Sequence, residues 1–177
     1  MSPCRPVVFT LFALVIAFAV LPAMAAPPSL QGTFTLIPEQ SDDVNQAIQS
    51  TVTQLNFLFR PIARGRLTKT NKPYQKVILG LTENEISIVT DLRAPIRTKP
   101  EGTPIKWTRE DGEIFDVSTV WDGTILKQTF AAEDGQRVNE YRASEDGQGM
   151  SLQVTVSSSK LKEPLRYRLA YKRAAAE

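Results

Sequence analysis

Four Asp-Gly pairs punctuate the second half of this 177-residue chain: Asp111-Gly112, Asp122-Gly123, Asp134-Gly135 and Asp146-Gly147, spaced by 11, 12 and 12 residues. Asp-Gly suits tight hairpin turns because it tolerates the positive φ that such turns demand. Each interval holds one strand, one turn and the start of the next strand. The rhythm predicts an antiparallel meander, the regular order of an all-β barrel or sandwich.

Alternation within the intervals agrees. Met150, Leu152, Val154 and Val156 share one face, opposite Ser151, Gln153 and Thr155. Leu165, Leu169 and the tyrosines Tyr167 and Tyr171 share another, opposite Arg166, Arg168 and Lys172. Strands with one apolar and one polar face close around a core and leave water outside. Ten strands are expected. The first covers 32–37, and nine follow at 75–81, 85–91, 94–98, 104–109, 113–121, 124–131, 136–143, 149–157 and 165–172.

Between the first two strands the period changes. Val44, Ile48, Val52, Leu55, Phe59 and Ile62 recur at steps of three and four, which fits one face of a helix. Ser41 is the expected cap, with Asp42 and Asp43 in the first turn where the helix dipole favours negative charge. Pro61 should kink or end the helix, and Gly65 should stop it. The fold class is therefore all-β with one helical segment: an antiparallel meander barrel of about ten strands, the helix inserted between strands 1 and 2.

The first 25 residues read differently. Val7 to Val20 is apolar except for Thr10, too short to span a bilayer comfortably, and Leu21-Pro22-Ala23-Met24-Ala25 follows with small residues at the cleavage positions. This predicts a signal peptide at 1–25 and a single domain at 26–177, placed in the periplasm or outside the cell. The chain has no histidine, and its one cysteine, Cys4, lies in the leader. No disulfide framework, Cys/His zinc site or catalytic set built on His or Cys is available to the remainder. With 21 basic and 19 acidic residues in all, the balance also argues against general nucleic-acid binding.

Two charge patterns invite functional readings. Arg60, Arg64, Arg66, Lys69 and Lys72 fall in one stretch without an acid. They could face anionic lipid headgroups, or simply complement the helix dipole and solvate the surface. The acidic pairs Glu110-Asp111, Glu133-Asp134 and Glu145-Asp146 each precede glycine, and turn chemistry explains them better than acid catalysis.

One strand, a helical segment and nine meandering strands resemble the intracellular fatty-acid-binding proteins, which belong with the lipocalins to the calycin group. Gly32-Thr33-Phe34-Thr35-Leu36 resembles that family's opening Gly-x-Trp-x-Leu, with Phe for Trp. Ser41-Asp42-Asp43-Val44 resembles the start of its helical lid, and Trp121-Asp122-Gly123-Thr124-Ile125-Leu126 its Asp-Gly-x-x-Leu hairpin. Glu140-Tyr141-Arg142 and Ala170-Tyr171-Lys172 resemble its last strands. The resemblance implies a carboxylate anchor of two arginines and a tyrosine. Arg142 and Tyr171 stand at matching positions, but the second arginine position holds Leu169, and Arg168 faces the other way. A neutral or bulkier apolar ligand is expected to fit at least as well as a free fatty acid.

The expected function is binding of a small hydrophobic, lipid-like molecule in the barrel interior, with the helix as lid, no enzymatic step and no cofactor. The candidate ligand-binding residues are Phe34, Leu36, Ile48, Val52, Phe59, Arg142, Leu152, Tyr167, Leu169 and Tyr171. The alternative is an interaction or inhibitor module on a filled barrel. The same apolar inward faces serve either, so the sequence leaves both open.

Overall fold

The computed structural model describes residues 29–175. Residues 1–25, with the signal-peptide reading that rests on them, lie outside the described residues. The strands are β1 (Gly32–Leu36), β2 (Lys76–Leu81), β3 (Ile86–Thr90), β4 (Arg93–Thr98), β5 (Ile105–Thr108), β6 (Ile114–Trp121), β7 (Ile125–Ala132), β8 (Gly135–Ala143), β9 (Gly149–Ser158) and β10 (Leu165–Arg173). They form one antiparallel sheet in the order β4-β3-β2-β1-β10-β9-β8-β7-β6-β5, rolled into a nearly closed barrel. Each strand lies within one or two residues of its expected span.

The barrel has one seam. Among the described residues β4 and β5 share no ladder. Glu101 bridges to Val120 at one end of the gap, where Trp121 N–H also donates to Pro100 O at 3.3 Å. Elsewhere side chains close it from inside: Ile96 of β4 packs with Trp107, Val117 and Phe130.

Register stacks the inward side chains in layers. Val117, Phe130, Arg137, Val156 and Leu165 lie side by side across β6 to β10. Thr119, Gln128, Asn139, Val154 and Tyr167 form the next layer, and Trp121, Leu126, Tyr141, Leu152 and Leu169 the one below. The first layer lies nearest the β5–β6, β7–β8 and β9–β10 turns, at the end of the barrel called the mouth below.

The turns use their aspartates as acceptors. Asp122 Oδ1 accepts from Thr124 N at 2.8 Å and Ile125 N at 2.7 Å, while Gly123 takes the left-handed φ of 92°. Gly135 has another reason to lack a side chain. A Cβ there would lie 2.2 Å from Ser157 O, so only glycine lets β8 approach β9 at that point.

The helical segment expected after β1 is present, but it is interrupted and its cap differs. A short 3-10 turn (Pro38–Gln40) leads into α1 (Val44–Thr53), the chain breaks at 54–59, and α2 (Arg60–Thr70) follows. Pro61 sits in the first turn of α2, where its missing N–H is no loss, rather than ending a helix. The cap is Asp43, not Ser41: Asp43 Oδ1 accepts from Asn45 N at 2.8 Å and Gln46 N at 3.2 Å. Ser41 instead donates to Ile37 O and accepts from Ala170 N, fastening the segment to β10.

The break splits the apolar stripe. Val44, Ile48, Val52 and Leu55 are buried in the same cluster as Leu165, Tyr167 and Leu169 of β10. Phe59 and Ile62 fall beyond the turn and face solvent. Leu67 is the only buried residue of α2. The helical segment thus enters from the mouth end, with α1 set into the core and α2 above it. Burying each large apolar side chain in this cluster stabilises the fold by about 1.5–3 kcal/mol.

Candidate functional site

Alternation along β8 turns Arg137, Asn139 and Tyr141 inward and Gln136, Val138, Glu140 and Arg142 outward. Arg137 is buried and reaches the mouth layer. Its Nε donates to Asn139 Oδ1 at 2.9 Å, and its Nη1 to Asn71 Oδ1 at 3.0 Å and Thr70 O at 3.3 Å. Its Nη2 donates to Tyr167 Oη at 3.3 Å. All four acceptors are neutral.

Arg93, at the start of β4, meets it from the other side. It donates to the same Thr70 O at 3.2 Å and lies 5.6–5.9 Å from the ring centroids of Tyr74, Trp107 and Phe130. Among the described residues neither arginine pairs with a carboxylate. The acids nearby are engaged elsewhere. Asp111 and Glu113 hold Arg109, and Asp134 holds Lys160. Burying a charge without a counterion costs folding free energy, so two such cations side by side are unusual.

Burial lowers Arg93 from its usual range. Burial also opposes the charge on Arg137, but the surrounding tyrosine oxygens outweigh it and the net direction is upward. A guanidinium stays protonated at any ordinary pH, so the site is doubly positive. Burial pushes the hydroxyls of Tyr141, Tyr167 and Tyr171 up, so they act as neutral donors and acceptors.

These arginines border a cavity of about 440 Å³ at the mouth. Its roof is α2, through Arg66, Leu67, Lys69, Thr70 and Asn71, and its walls are the mouth ends of β4 to β9. Trp107, Phe115 and Phe130 give an aromatic side, with centroids 5.7–6.2 Å apart and the Trp107–Phe130 planes at 72°. Below it the polar layer continues. Asn139 Nδ2 donates to Gln128 Oε1 at 3.3 Å, while Gln128 Nε2 and Thr119 Oγ1 are buried without a partner. Forked guanidiniums match planar or tetrahedral oxyanions, and the aromatic wall suits an apolar body.

The residues singled out from sequence divide into three groups. Phe34, Ile48, Val52, Leu152, Leu169 and Tyr171 are at most 2% exposed, so they pack against one another rather than against empty space. Leu36 is partly buried against the same cluster. Tyr167 is also buried but touches Arg137 from beneath the cavity. Phe59 and Arg142 point to solvent, and Arg142 lies 3.8 Å from Glu140. None of the ten lines the 440 Å³ cavity.

The residues that do build it, Arg93, Trp107, Phe130, Asn71 and above all Arg137, were not in the expected set. The parity signal was present for Arg137. If Tyr141 faces inward, Arg142 cannot, and Arg137 and Asn139 must.

No protein-family model matches the chain, and no curated protein matches it in sequence. Solved structures do match in fold. A structure named REP1-NXSQ fatty acid transporter aligns with a TM-score of 0.54 at 14% identity, covering 84% of this chain and 98% of that one. A Schistosoma mansoni fatty acid binding protein in complex with arachidonic acid aligns at 0.54 and 17% identity, covering 82% and 96%. A secretory abundant heat soluble protein from Ramazzottius varieornatus aligns at 0.58 and 9% identity, covering 84% and 100%. The likeness is one of fold: this chain is a calycin-like barrel.

Proposed function

We propose that this chain is a secreted, non-enzymatic binding protein that holds a small hydrophobic molecule bearing an acidic group, with the helical segment as its lid. The observation that carries this is the pair Arg93 and Arg137, charged, without a carboxylate partner, and set beside the aromatic wall of a 440 Å³ cavity. A ligand oxyanion would supply the missing counter-charge, and its apolar part would lie against Trp107, Phe115 and Phe130. Structural neighbours whose names state fatty-acid binding or transport support the same class of cargo. The leader at 1–25 supports export.

The cargo would sit at the mouth rather than deep in the barrel, because the layers below are packed with Leu126, Leu152 and Leu169. Lid action follows from how α2 is held. Its C-terminal Thr70 O and the adjoining Asn71 occupy the guanidiniums that a ligand would use, so ligand binding competes with the hold on α2.

The packed lower layers also favour the second reading, an interaction module on a filled barrel. Titration with anilinonaphthalene sulfonate, a fluorescent aromatic anion, separates the two. One probe should bind per chain and be displaced by oleate far better than by oleyl alcohol, and Arg137→Met should weaken it by roughly tenfold or more. Equal displacement by acid and alcohol would remove the anion from the proposal. Absence of stoichiometric binding would leave the interaction module.

A further inference from the structure

Below the arginine layer two buried polar groups have no partner, and we infer that they form a second subsite, one that selects an apolar acid carrying an uncharged oxygen part-way along its chain. This rests on the cavity holding the acidic end of the cargo. Thr119 and Gln128 are register partners on β6 and β7, both turned inward and at most 1% exposed. Of the three buried side-chain atoms without a hydrogen-bond partner among the described residues, Thr119 Oγ1 and Gln128 Nε2 are the two that stand side by side in the sheet. Buried polar groups in folded proteins are nearly always paired, so two neighbouring orphans mark a place built to receive something.

Arg137 fixes what that something is. Its Nε donates to Asn139 Oδ1 at 2.9 Å, which turns Asn139 Nδ2 toward Gln128 Oε1 at 3.3 Å. Tyr141 Oη donates to the same Oε1 at 3.5 Å. A guanidinium has donors only, so each amide in this series is held with its oxygen toward Arg137 and its nitrogen away. The series therefore ends in a free donor and requires an acceptor. A cation would meet N–H groups, and a second carboxylate would lie buried without a counter-charge. A hydroxyl or carbonyl oxygen fits: it accepts from Gln128 Nε2, and a hydroxyl also donates to Thr119 Oγ1. Gln128 is two residues from Phe130, which lines the cavity, so the pair lies about 7 Å deeper along β7. Leu126, Leu152 and Leu169 close the barrel in the next layer. Cargo whose acid meets Arg137 thus runs past the Phe130 ring to the pair and no farther. Shut off from solvent, a hydrogen bond made there separates oxygenated chains from plain ones.

Stearate and a series of stearates hydroxylated at a single carbon are titrated against bound anilinonaphthalene sulfonate. One mid-chain hydroxyl position is expected to bind roughly tenfold more tightly than stearate, and a hydroxyl beside the carboxylate no more tightly than stearate. Thr119→Val with Gln128→Met should bring the preferred acid down to the level of stearate measured on the same variant. Should that variant fail to fold, the side-chain amide resonance of Gln128 in the parent reads the same contact: it should move with the mid-chain hydroxy acid and stay in place with stearate. Displacement by stearate that depends on Arg137, with no hydroxy acid tighter, would leave the pair to water, overturn the subsite and keep the cavity reading. A preference that survives in the double variant, or an amide resonance that moves equally with both acids, would also overturn the subsite. Absence of displacement by every acid would overturn both.

Discussion

Two sides of one barrel are built by the same alternation and come to different ends. Around β1, β2, β3 and β10 the inward positions are mostly apolar, with Phe34, Val77, Leu79, Ile86, Leu169 and Tyr171 at most 2% exposed and Thr90 of β3 the polar exception, and α1 adds Ile48 and Val52. From β6 to β8 the inward positions also include Thr119, Gln128, Arg137 and Asn139, with polar atoms left over and open space at the mouth. An apolar interior seals itself, because every contact is interchangeable. A polar interior has to match donors with acceptors, and where it does not, a ligand has a reason to enter. The contrast teaches that in this barrel the candidate site lies where the hydrophobic pattern fails.

That contrast can be broken by substitution. Leu152→Ala, on β9 and paired with Leu169 of the sealed side, should lower stability by about 2–5 kcal/mol in urea titration, because the packed surroundings collapse only partly into the void. A smaller loss would mean that side is not sealed.

Asp43→Ala should cost about 1 kcal/mol by the same measurement, since it frees two amides at the start of α1. Because α1 belongs to the core and α2 buries only Leu67, amide exchange in α2 should run well ahead of α1 in native buffer. Equal protection would join the lid to the core.

Arg137→Leu sharpens the comparison from the other side. Relief of a buried unpaired charge offsets the lost hydrogen bonds, so stability should stay within about 1 kcal/mol of the parent. A loss as large as that of Leu152→Ala would make Arg137 a structural residue.

The smallest effect is at the rim. The Arg109 guanidinium holds the Asp111 carboxyl at about 2, below its ordinary 3.8. A depressed carboxyl stabilises the fold above its unfolded value and loses that contribution as pH falls toward the folded one. Asp111→Asn should therefore make stability slightly less acid-sensitive below about pH 4, read from urea midpoints.

How much of this was legible follows from the same division. Strand order and spans were legible because Asp-Gly turns and alternating faces repeat along the chain. The helix break was not. Val44 to Ile62 keeps a helical period across 54–59, and only tertiary packing decides that Leu55 turns inward while Phe59 does not. The site was hardest, because β8 is polar on both faces and gives no period-2 contrast. Arg142 was preferred by motif resemblance where the parity of Tyr141 would have selected Arg137. Arg93 fell just outside its expected strand, and its approach to Arg137 depends on a roll of the sheet that no local pattern encodes.

The gap between β4 and β5 gives the wall a single elastic joint. Elsewhere the spacing of about 4.8 Å between strands is fixed by backbone hydrogen bonds. Here the circumference is held by Ile96 against Trp107 and Phe130, contacts that slide without breaking a ladder. If the proposed cargo binds there, guests of unequal breadth would be admitted by a small widening at that joint, beside Arg93, while the rest of the girdle kept its girth.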